Sequence, residues 1–251
     1  MQYKNYVFDL YGTLVDVSTD EKKLSLWKTM ADLYGCYGAI YEPKALRKRF
    51  FQMDQEEREK MSLVKGTPWP EIQLEKVFLR LLKEAPAGTL RLPEQEDVWA
   101  ELMANTFRVV SRKYLRLFPE TLHVLQTLKE QDCRIYLLSN AQAIFTRPEI
   151  HLMGIEEYFD AMYLSSDFDL KKPEPAYLRL LMEKEGLKPS ETVMIGNEME
   201  SDVKIADACG IDAIFVNLLH EAPEAIQAKR ERYGIRQKFA VVEDIGEGVN
   251  Y

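Results

Sequence analysis

The sequence predicts an α/β protein: a doubly wound parallel sheet with a helical domain inserted after its first strand. From about residue 119 onward, short apolar runs alternate with helical periodicity, which is typical of a parallel sheet covered on both faces. Between residues 17 and 105, by contrast, apolar residues recur at helical spacing with no convincing strand. We therefore expect residues 1–16 and 106–251 to form the α/β core. Residues 17–105 are expected to form a helical cap over the carboxyl edge of the sheet.

Composition fits this architecture and excludes several function classes. The chain has 251 residues, 46% hydrophobic and 29% charged, which is enough to bury a substantial core. Its net charge of −8 argues against a nucleic-acid scaffold. The three cysteines lack metal-ligand spacing and are expected to be free thiols. With no signal-like N-terminus and no apolar run near ~18 residues, we expect a soluble cytoplasmic protein, monomeric or homodimeric, that contacts neither membrane nor nucleic acid.

The first element is a buried strand that ends in a carboxylate. Tyr6, Val7 and Phe8 run into Asp9, and the chain then turns at Gly12 and Thr13. Ligands bind beyond the strand ends of open parallel sheets. A carboxylate there can be a nucleophile, a metal ligand or a cap for the next element, and this pattern alone leaves all three open.

The later elements follow from periodicity and breaks. Within the insert we predict helices over residues 24–34, 50–60, 72–82 and 98–110, separated by proline-containing breaks at 66–70 and 86–93. Beyond it, buried strands are predicted at 133–139, 161–165, 192–196 and 212–217, with an edge strand at 239–242. Helices are predicted between them at 119–129, 145–153, 175–185, 201–209 and 223–233.

Polar residues follow four of the predicted strands. If the sheet is doubly wound, these strand ends meet at one crevice. Any single one of the residues is explained by helix capping or a solvated side chain, but four in succession predict a site. The residues are Asp9 after the first strand, Ser139 and Asn140 after the second, Lys171 and Lys172 after the third, and Asn197 with Asp202 after the fourth.

These segments resemble the motifs of the haloacid dehalogenase (HAD) superfamily with a helical cap of the first type. The matching segments, in family order, are Asp9–Thr13, Leu137–Asn140, Lys172–Pro175 and Ile195–Asp202. The resemblance implies a HAD-like, Rossmann-like core and a hydrolase acting on a small anionic substrate.

The resemblance also implies a role for each matching residue. Asp9 would be the nucleophile, forming a covalent aspartyl intermediate that water opens. Thr13 and Ser139 would hydrogen-bond the transferring group, and Lys172 would balance its charge. The remaining roles are substrate binding by Tyr11, Gly12 and Asn140, and Mg²⁺ binding by Asp9, the Tyr11 backbone carbonyl, Asn197 and Asp202.

Two positions depart from the phosphatase pattern of the superfamily. Tyr11 stands where those phosphatases carry a second aspartate, their general acid and base, and Asn197 replaces the first acid of the fourth motif. A phenol with a pKa near ~10 is a poor acid at neutral pH, and general acid–base help is typically worth ~10²–10⁴-fold. Without the second charge, Mg²⁺ should bind more weakly than usual. A tyrosine at this place is what the metal-independent 2-haloacid dehalogenases carry, yet Leu178 and Met199 do not match that subfamily.

Three hypotheses therefore remain. The first, which we favour, is a hydrolase of a small phosphorylated metabolite, with Asp16, Glu198 or water replacing the missing acid. The second is a metal-independent 2-haloacid dehalogenase in which Arg47 or Arg49 binds the substrate carboxylate. The third is a catalytically weak or inactive small-molecule binding protein.

Overall fold

The computed structural model describes residues 3–248 as an α/β core carrying a helical block. In chain order the strands are β1 Asn5–Phe8, β2 Val15–Thr19, β3 Arg112–Leu117, β4 Arg134–Ser139, β5 Ala161–Leu164, β6 Thr192–Gly196, β7 Asp212–Val216 and β8 Ala240–Val242. The helices are α1 Leu24–Cys36, α2 Pro43–Lys65, α3 Leu74–Lys83, α4 Glu96–Ser111, α5 Thr121–Glu130, α6 Ala143–Leu152, α7 Pro175–Glu185, α8 Lys204–Cys209, α9 Pro223–Tyr233 and α10 Ile245–Gly248. None of these helices is both long and apolar enough to cross a bilayer.

The main sheet has six parallel strands in the order β5-β4-β1-β6-β7-β8. Strand β1 lies between β4 and β6, so the strand order reverses next to it. This confirms the predicted doubly wound parallel sheet. Ligands of such sheets bind at this reversal, beyond the carboxyl ends of the strands.

Alternate residues of β1 enter two separate apolar layers. Tyr6 and Phe8 pack with helices α5, α6 and α10, whereas Val7 packs with α7, α8 and α9. This is the two-residue period of a strand whose faces are both covered by helices. The burial of every β1 residue fixes the position of the side chain that follows the strand.

The helices α1 to α4 have an apolar core of their own. It is built around Trp27, Phe50, Phe78 and Phe107, all of them buried. These residues confirm the helical character predicted for the insert. The boundary that we predicted at residue 105 stays a prediction, and α4 continues across it to Ser111.

A two-stranded antiparallel ribbon corrects the prediction that the insert begins without a strand. β2 pairs with β3, and Asp16 lies opposite Arg116 in this register. Their side chains form an ion pair at 2.7 Å. Residues 17–19 are strand because of a partner about a hundred positions away, which local periodicity does not reveal. The ribbon joins the helical block to the sheet.

Candidate active site

Asp9 lies directly after β1, where the chain leaves the sheet. Its backbone N–H still donates to the carbonyl of Ile195 at 2.9 Å, so the residue is anchored to β6. The turn that follows requires glycine at position 12, where φ is +83° and a Cβ would lie 2.5 Å from the side chain of Asn197. The strand and the turn therefore hold the Asp9 carboxylate at the edge of the sheet, 7% exposed.

Lys172 joins two of the predicted carboxylates. Its Nζ lies 2.6 Å from Oδ1 of Asp9 and 2.7 Å from Oδ1 of Asp202, with the lysine only 3% exposed. The hydroxyl of Ser139 donates to the same Asp9 oxygen at 3.1 Å. The four predicted strand ends thus meet at one point.

Burial and charge act in opposite directions on this group. Burial alone would lower the pKa of Lys172, but the carboxylates of Asp202 and Asp9 outweigh it and raise that pKa above its ordinary value. Burial raises the pKa of Asp202, against the opposing effect of Lys172. The lysine is therefore a permanent cation beside Asp9.

Asn140 makes both of its amide contacts with the backbone of Lys172. Its Nδ2 donates to the Lys172 carbonyl at 3.0 Å, and its Oδ1 accepts from the Lys172 N–H at 2.7 Å. This pair fixes the loop that delivers the lysine. The role in substrate binding predicted for Asn140 stays a prediction.

Asn197 and Asp202, both from the fourth motif, are held at the site by different contacts. Thr13 donates its hydroxyl proton to Oδ1 of Asn197 at 3.3 Å. Asp202 lies within a single π-helical turn over Met199–Val203 that leads into α8, where we had predicted an ordinary helix. Its Oδ1 binds Lys172, and its Oδ2 accepts from the backbone N–H of Glu198 at 2.9 Å.

The donor set fits a weakly held Mg²⁺. All four predicted ligands, Asp9, the Tyr11 backbone carbonyl, Asn197 and Asp202, are oxygen donors of the kind Mg²⁺ accepts together with several waters. Asp202 already accepts a hydrogen bond on each oxygen, and Asn197 accepts one from Thr13. Asp9, the Tyr11 carbonyl and Asn197 carry one negative charge between them, and the ligand set stays a prediction. In residues 3–248 no group of three or more His, Cys, Asp or Glu side chains is placed to bind a metal ion.

The phenol of Tyr11 is bound to a buried ion pair between α4 and α6. Its hydroxyl donates to Oε2 of Glu149 at 2.5 Å. Arg108 donates to both oxygens of Glu149, at 2.7 and 2.9 Å, and its guanidinium lies 5.1 Å from the centre of the Tyr11 ring. Arg112 adds a contact at 3.1 Å. Burial first, and then the Glu149 charge, raise the pKa of Tyr11 above its ordinary value.

Sequence reasoning missed Glu149, Arg108 and Arg112. The available signal was the position of Glu149 four residues after Phe145, on the face of α6 that must be buried. An acidic residue on such a face requires a buried partner. We call Tyr11, Glu149, Arg108 and Arg112 the Glu149 cluster below.

The residues proposed to replace the missing acid are engaged elsewhere. Asp16 is paired with Arg116 in the ribbon, and Glu198 accepts from the hydroxyl of Ser201 at 3.0 Å.

The two cap arginines that we had considered for a substrate carboxylate also have other partners. Arg47 donates to the carbonyl of Lys22, and Arg49 pairs with Glu56 and Glu84 on the outer surface of the cap.

A cavity of about 320 Å³ lies between the helical block and the carboxyl edge of the sheet. From the core it is lined by Tyr11, Asn140 and Phe145, and from the helical block by Phe50, Arg58 and Arg108. Arg58 and Arg108 are thus the arginines that reach the cavity, in place of the two expected. The cavity is mixed in polarity and sized for a small molecule.

The site places a carboxylate beside a buried lysine, and comparison with known proteins gives the family of the chain. The sequence model of the haloacid dehalogenase-like hydrolase family matches residues 3–210 of this chain. The chain therefore belongs to the haloacid dehalogenase-like hydrolases.

The curated relatives that it matches include several phosphatases. Glyceraldehyde 3-phosphate phosphatase of Methanothermobacter thermautotrophicus is 29% identical over 61% of this chain and 66% of the relative. Phosphoglycolate phosphatase of Yersinia pestis is 31% identical over 51% of this chain and 57% of the relative. Phosphoserine phosphatase of Thermus thermophilus is 28% identical over 60% of this chain and 58% of the relative. The match thus spans less than two thirds of each of these relatives.

Solved structures of both kinds of enzyme share the fold. A 2-haloacid dehalogenase from Pseudomonas syringae pv. Tomato superposes with a TM-score of 0.64 at 18% identity, covering 99% of this chain and 97% of that one. A HAD phosphatase from Thermococcus onnurineus gives a TM-score of 0.60 at 20% identity, covering 98% and 96%. At these identities the likeness concerns the fold alone.

Proposed function

We propose that this hydrolase uses Asp9 as a nucleophile on a small phosphorylated metabolite. The observation that carries the proposal is the buried contact between Asp9 and Lys172 at the point where the strand order reverses. A lysine buried between two carboxylates keeps its charge, and that charge can offset the repulsion between an anionic nucleophile and an anionic phosphate. The phosphatase activity named for the curated relatives supports phosphorus as the electrophile.

The contacts of Asp9 assign its two oxygens different roles. Ser139 and Lys172 both donate to Oδ1, so we infer that Oδ2 attacks. The attacking oxygen forms a bond to phosphorus while the leaving oxygen departs, and water then hydrolyses the aspartyl phosphate. With substrate bound, the hydroxyls of Ser139 and Thr13 would turn from Oδ1 of Asp9 and Oδ1 of Asn197 and donate to the transferring phosphoryl oxygens.

Asp9, Lys172 and Asp202 together carry one net negative charge, so a phosphate dianion needs a further cation. Mg²⁺ bound by Asp9, the Tyr11 carbonyl and Asn197 would supply that charge.

A second candidate is a halide-releasing hydrolase, because Tyr11 is bound to Glu149 and halide leaves without a proton. In that reaction Asp9 attacks carbon, and water then attacks the carbonyl carbon of the aspartyl ester. Solvent oxygen consequently enters Asp9. In phosphoryl transfer water attacks phosphorus, and Asp9 keeps its own oxygens.

This difference gives a decisive experiment. Purified protein is incubated with a panel of phosphate esters and with 2-chloropropionate, each with and without Mg²⁺, in water labelled with heavy oxygen. Phosphate release with an unlabelled Asp9 peptide supports the proposal, and halide release with a labelled peptide supports the second candidate. Asp9→Asn should abolish turnover. Asp32→Asn, which removes the same charge from an exposed position on α1, should leave turnover unchanged. Absence of turnover on every compound would refute the hydrolase mechanism proposed here.

A further inference from the structure

We propose that the substrate's leaving group departs as an anion, without a proton from the protein. The substrate class is accordingly acyl and aryl phosphates, and alkyl phosphates are poor substrates. This inference rests on the proposed function, because it concerns the same attack by Asp9. It follows from which protons are available at the cavity.

Tyr11 occupies the place from which a leaving-group acid would act, but its proton is committed. The Tyr11 hydroxyl donates to Glu149 at 2.5 Å, and Oγ1 of Thr146 lies 3.2 Å from the phenol oxygen of Tyr11. Glu149 is in turn held by Arg108 and Arg112. A phenol has one proton, and this one points to a carboxylate that also accepts from two arginines. Donation to a leaving oxygen would require the Glu149 cluster to break.

Two of the cavity carboxylates are tied to a cation. Arg58 donates to Oδ2 of Asp54 at 3.0 Å and to Oε1 of Glu71 at 2.9 Å. The second oxygen of Glu71 accepts from Ser165 at 2.9 Å. These oxygens accept hydrogen bonds from a guanidinium or a hydroxyl, so the geometry uses both carboxylates as acceptors.

Glu21 is the remaining carboxylate on the cavity wall, and burial raises its pKa above the ordinary value against the opposing charge of Arg108. It is the alternative proton donor that the test must separate from the proposal.

Without an acid, the reaction proceeds by two displacements at phosphorus. Oδ2 of Asp9 forms a bond to phosphorus, and the bond from phosphorus to the leaving oxygen breaks with its electron pair on that oxygen. A carboxylate or phenolate leaves as the free anion. Water then forms the new bond to phosphorus, Asp9 leaves as a carboxylate, and the water proton passes to the phosphate product or the solvent.

The consequence depends on the basicity of the leaving group. A carboxylic acid has a pKa of about 4 and a phenol of about 10, whereas the pKa of an alcohol is close to that of water and far above neutral pH. An anionic carboxylate is stable at neutral pH and needs no acid. An alkoxide is not, so its expulsion loses the general-acid contribution of ~10²–10⁴-fold.

The test is the dependence of kcat/KM on leaving-group pKa for the wild-type protein with Mg²⁺ present. The probes are acetyl phosphate, a series of substituted phenyl phosphates and glycerol 2-phosphate. We expect kcat/KM to fall steadily along the series. We compare the ratio of kcat/KM for acetyl phosphate to kcat/KM for glycerol 2-phosphate with the same ratio in a family phosphatase that has aspartate two residues after its nucleophile. The ratio for this protein should be larger by about 100-fold or more.

A flat series, with glycerol 2-phosphate within about tenfold of the phenyl esters, would overturn the inference while leaving the proposed function intact. No release from any phosphate would instead refute the proposed phosphatase and the inference with it.

Two variants locate the cause. Tyr11→Asp should lower the ratio of kcat/KM for acetyl phosphate to kcat/KM for glycerol 2-phosphate, because it raises the value for the alkyl ester. An unchanged or larger ratio would count against the role assigned to this position. Glu21→Gln should keep the wild-type slope. A slope that steepens in Glu21→Gln would identify Glu21 as the acid and overturn the inference.

Discussion

Removing the charge of Glu149 should destabilise the whole protein. Glu149 is 4% exposed and Arg108 is 8% exposed, and two hydrogen bonds of 2.7 and 2.9 Å join them. An amide in place of the carboxylate has one acceptor oxygen and a donor nitrogen. Glu149→Gln therefore leaves the Arg108 guanidinium buried beside a group that can neither neutralise it nor accept both of its bonds.

The size of the effect follows from this burial. Breaking a buried ion pair by removing one partner costs about 3–5 kcal/mol, from a typical total of about 5–15 kcal/mol. Each kcal/mol lowers the melting temperature by about 2–4 °C in a chain of this size. We thus expect Glu149→Gln to lower the free energy of unfolding by about 3 kcal/mol or more, with a matching fall in melting temperature.

Urea unfolding followed by circular dichroism measures this change directly. The matched control is Glu156→Gln, which removes an exposed carboxylate paired with His151 and should stay within about ±0.5 kcal/mol.

The double variant Arg108→Met with Glu149→Met should recover part of the loss, because it removes the buried guanidinium together with its partner. Recovery is incomplete because Arg112, which is less buried, and the Tyr11 hydroxyl still lose their acceptor. If Glu149→Gln costs no more than Glu156→Gln, the Glu149 cluster does not hold α4 to α6 as we describe.

Three further outcomes follow from the geometry. Lys172→Met leaves two buried carboxylates facing each other, so unfolding in urea should show a loss of about 3 kcal/mol or more and product release should cease; unchanged stability would contradict the buried pair. Asn197→Asp adds one negative charge near the proposed Mg²⁺ position, worth about 2 kcal/mol for a divalent ion even in water, so calorimetry should show binding tightened about 30-fold; Asn105→Asp on α4 should not change it. Burial raises the pKa of Tyr3 and of Tyr6 from 10.0 to about 12, so the folded state keeps protons that the unfolded state loses, and stability should fall as pH rises from 10 through 12. A urea midpoint that stays constant over that range would show that these phenols titrate normally.

Elements with local start and stop signals were predictable to the residue. Helices α7 and α9 begin at Pro175 and Pro223 and end before Gly186 and Gly234, as predicted. Proline fits the first helical position because its missing N–H has no partner there, and glycine adopts the left-handed conformation that closes a helix. Strand β6 was likewise predicted, and is observed, at Thr192–Gly196.

The ribbon and the Glu149 cluster were not predictable, because each depends on partners far apart in the chain. β2 is a strand through its pairing with β3, and Tyr11 meets Glu149 across 138 positions. Local pattern identifies which side of a helix is buried but not which buried charges meet. The motifs predicted where the reacting groups would gather, since strand ends of one sheet must converge, but they left open where the phenol of Tyr11 would point.

Similarity is averaged over the chain, whereas the chemistry that we propose depends on single positions. The proposed leaving-group chemistry depends on position 11, and the proposed Mg²⁺ site includes position 197. Tyr11 donates to Glu149, and Asn197 accepts from Thr13. An ionised aspartate at position 11 could not make the contact of Tyr11, which needs a proton donor, whereas an aspartate at position 197 could still accept from Thr13. Replacing Tyr11 with the phosphatase residue therefore perturbs the contacts of the site along with its chemistry. The selectivity ratio between leaving groups, rather than the absolute rate, is consequently the quantity that reports on the missing acid.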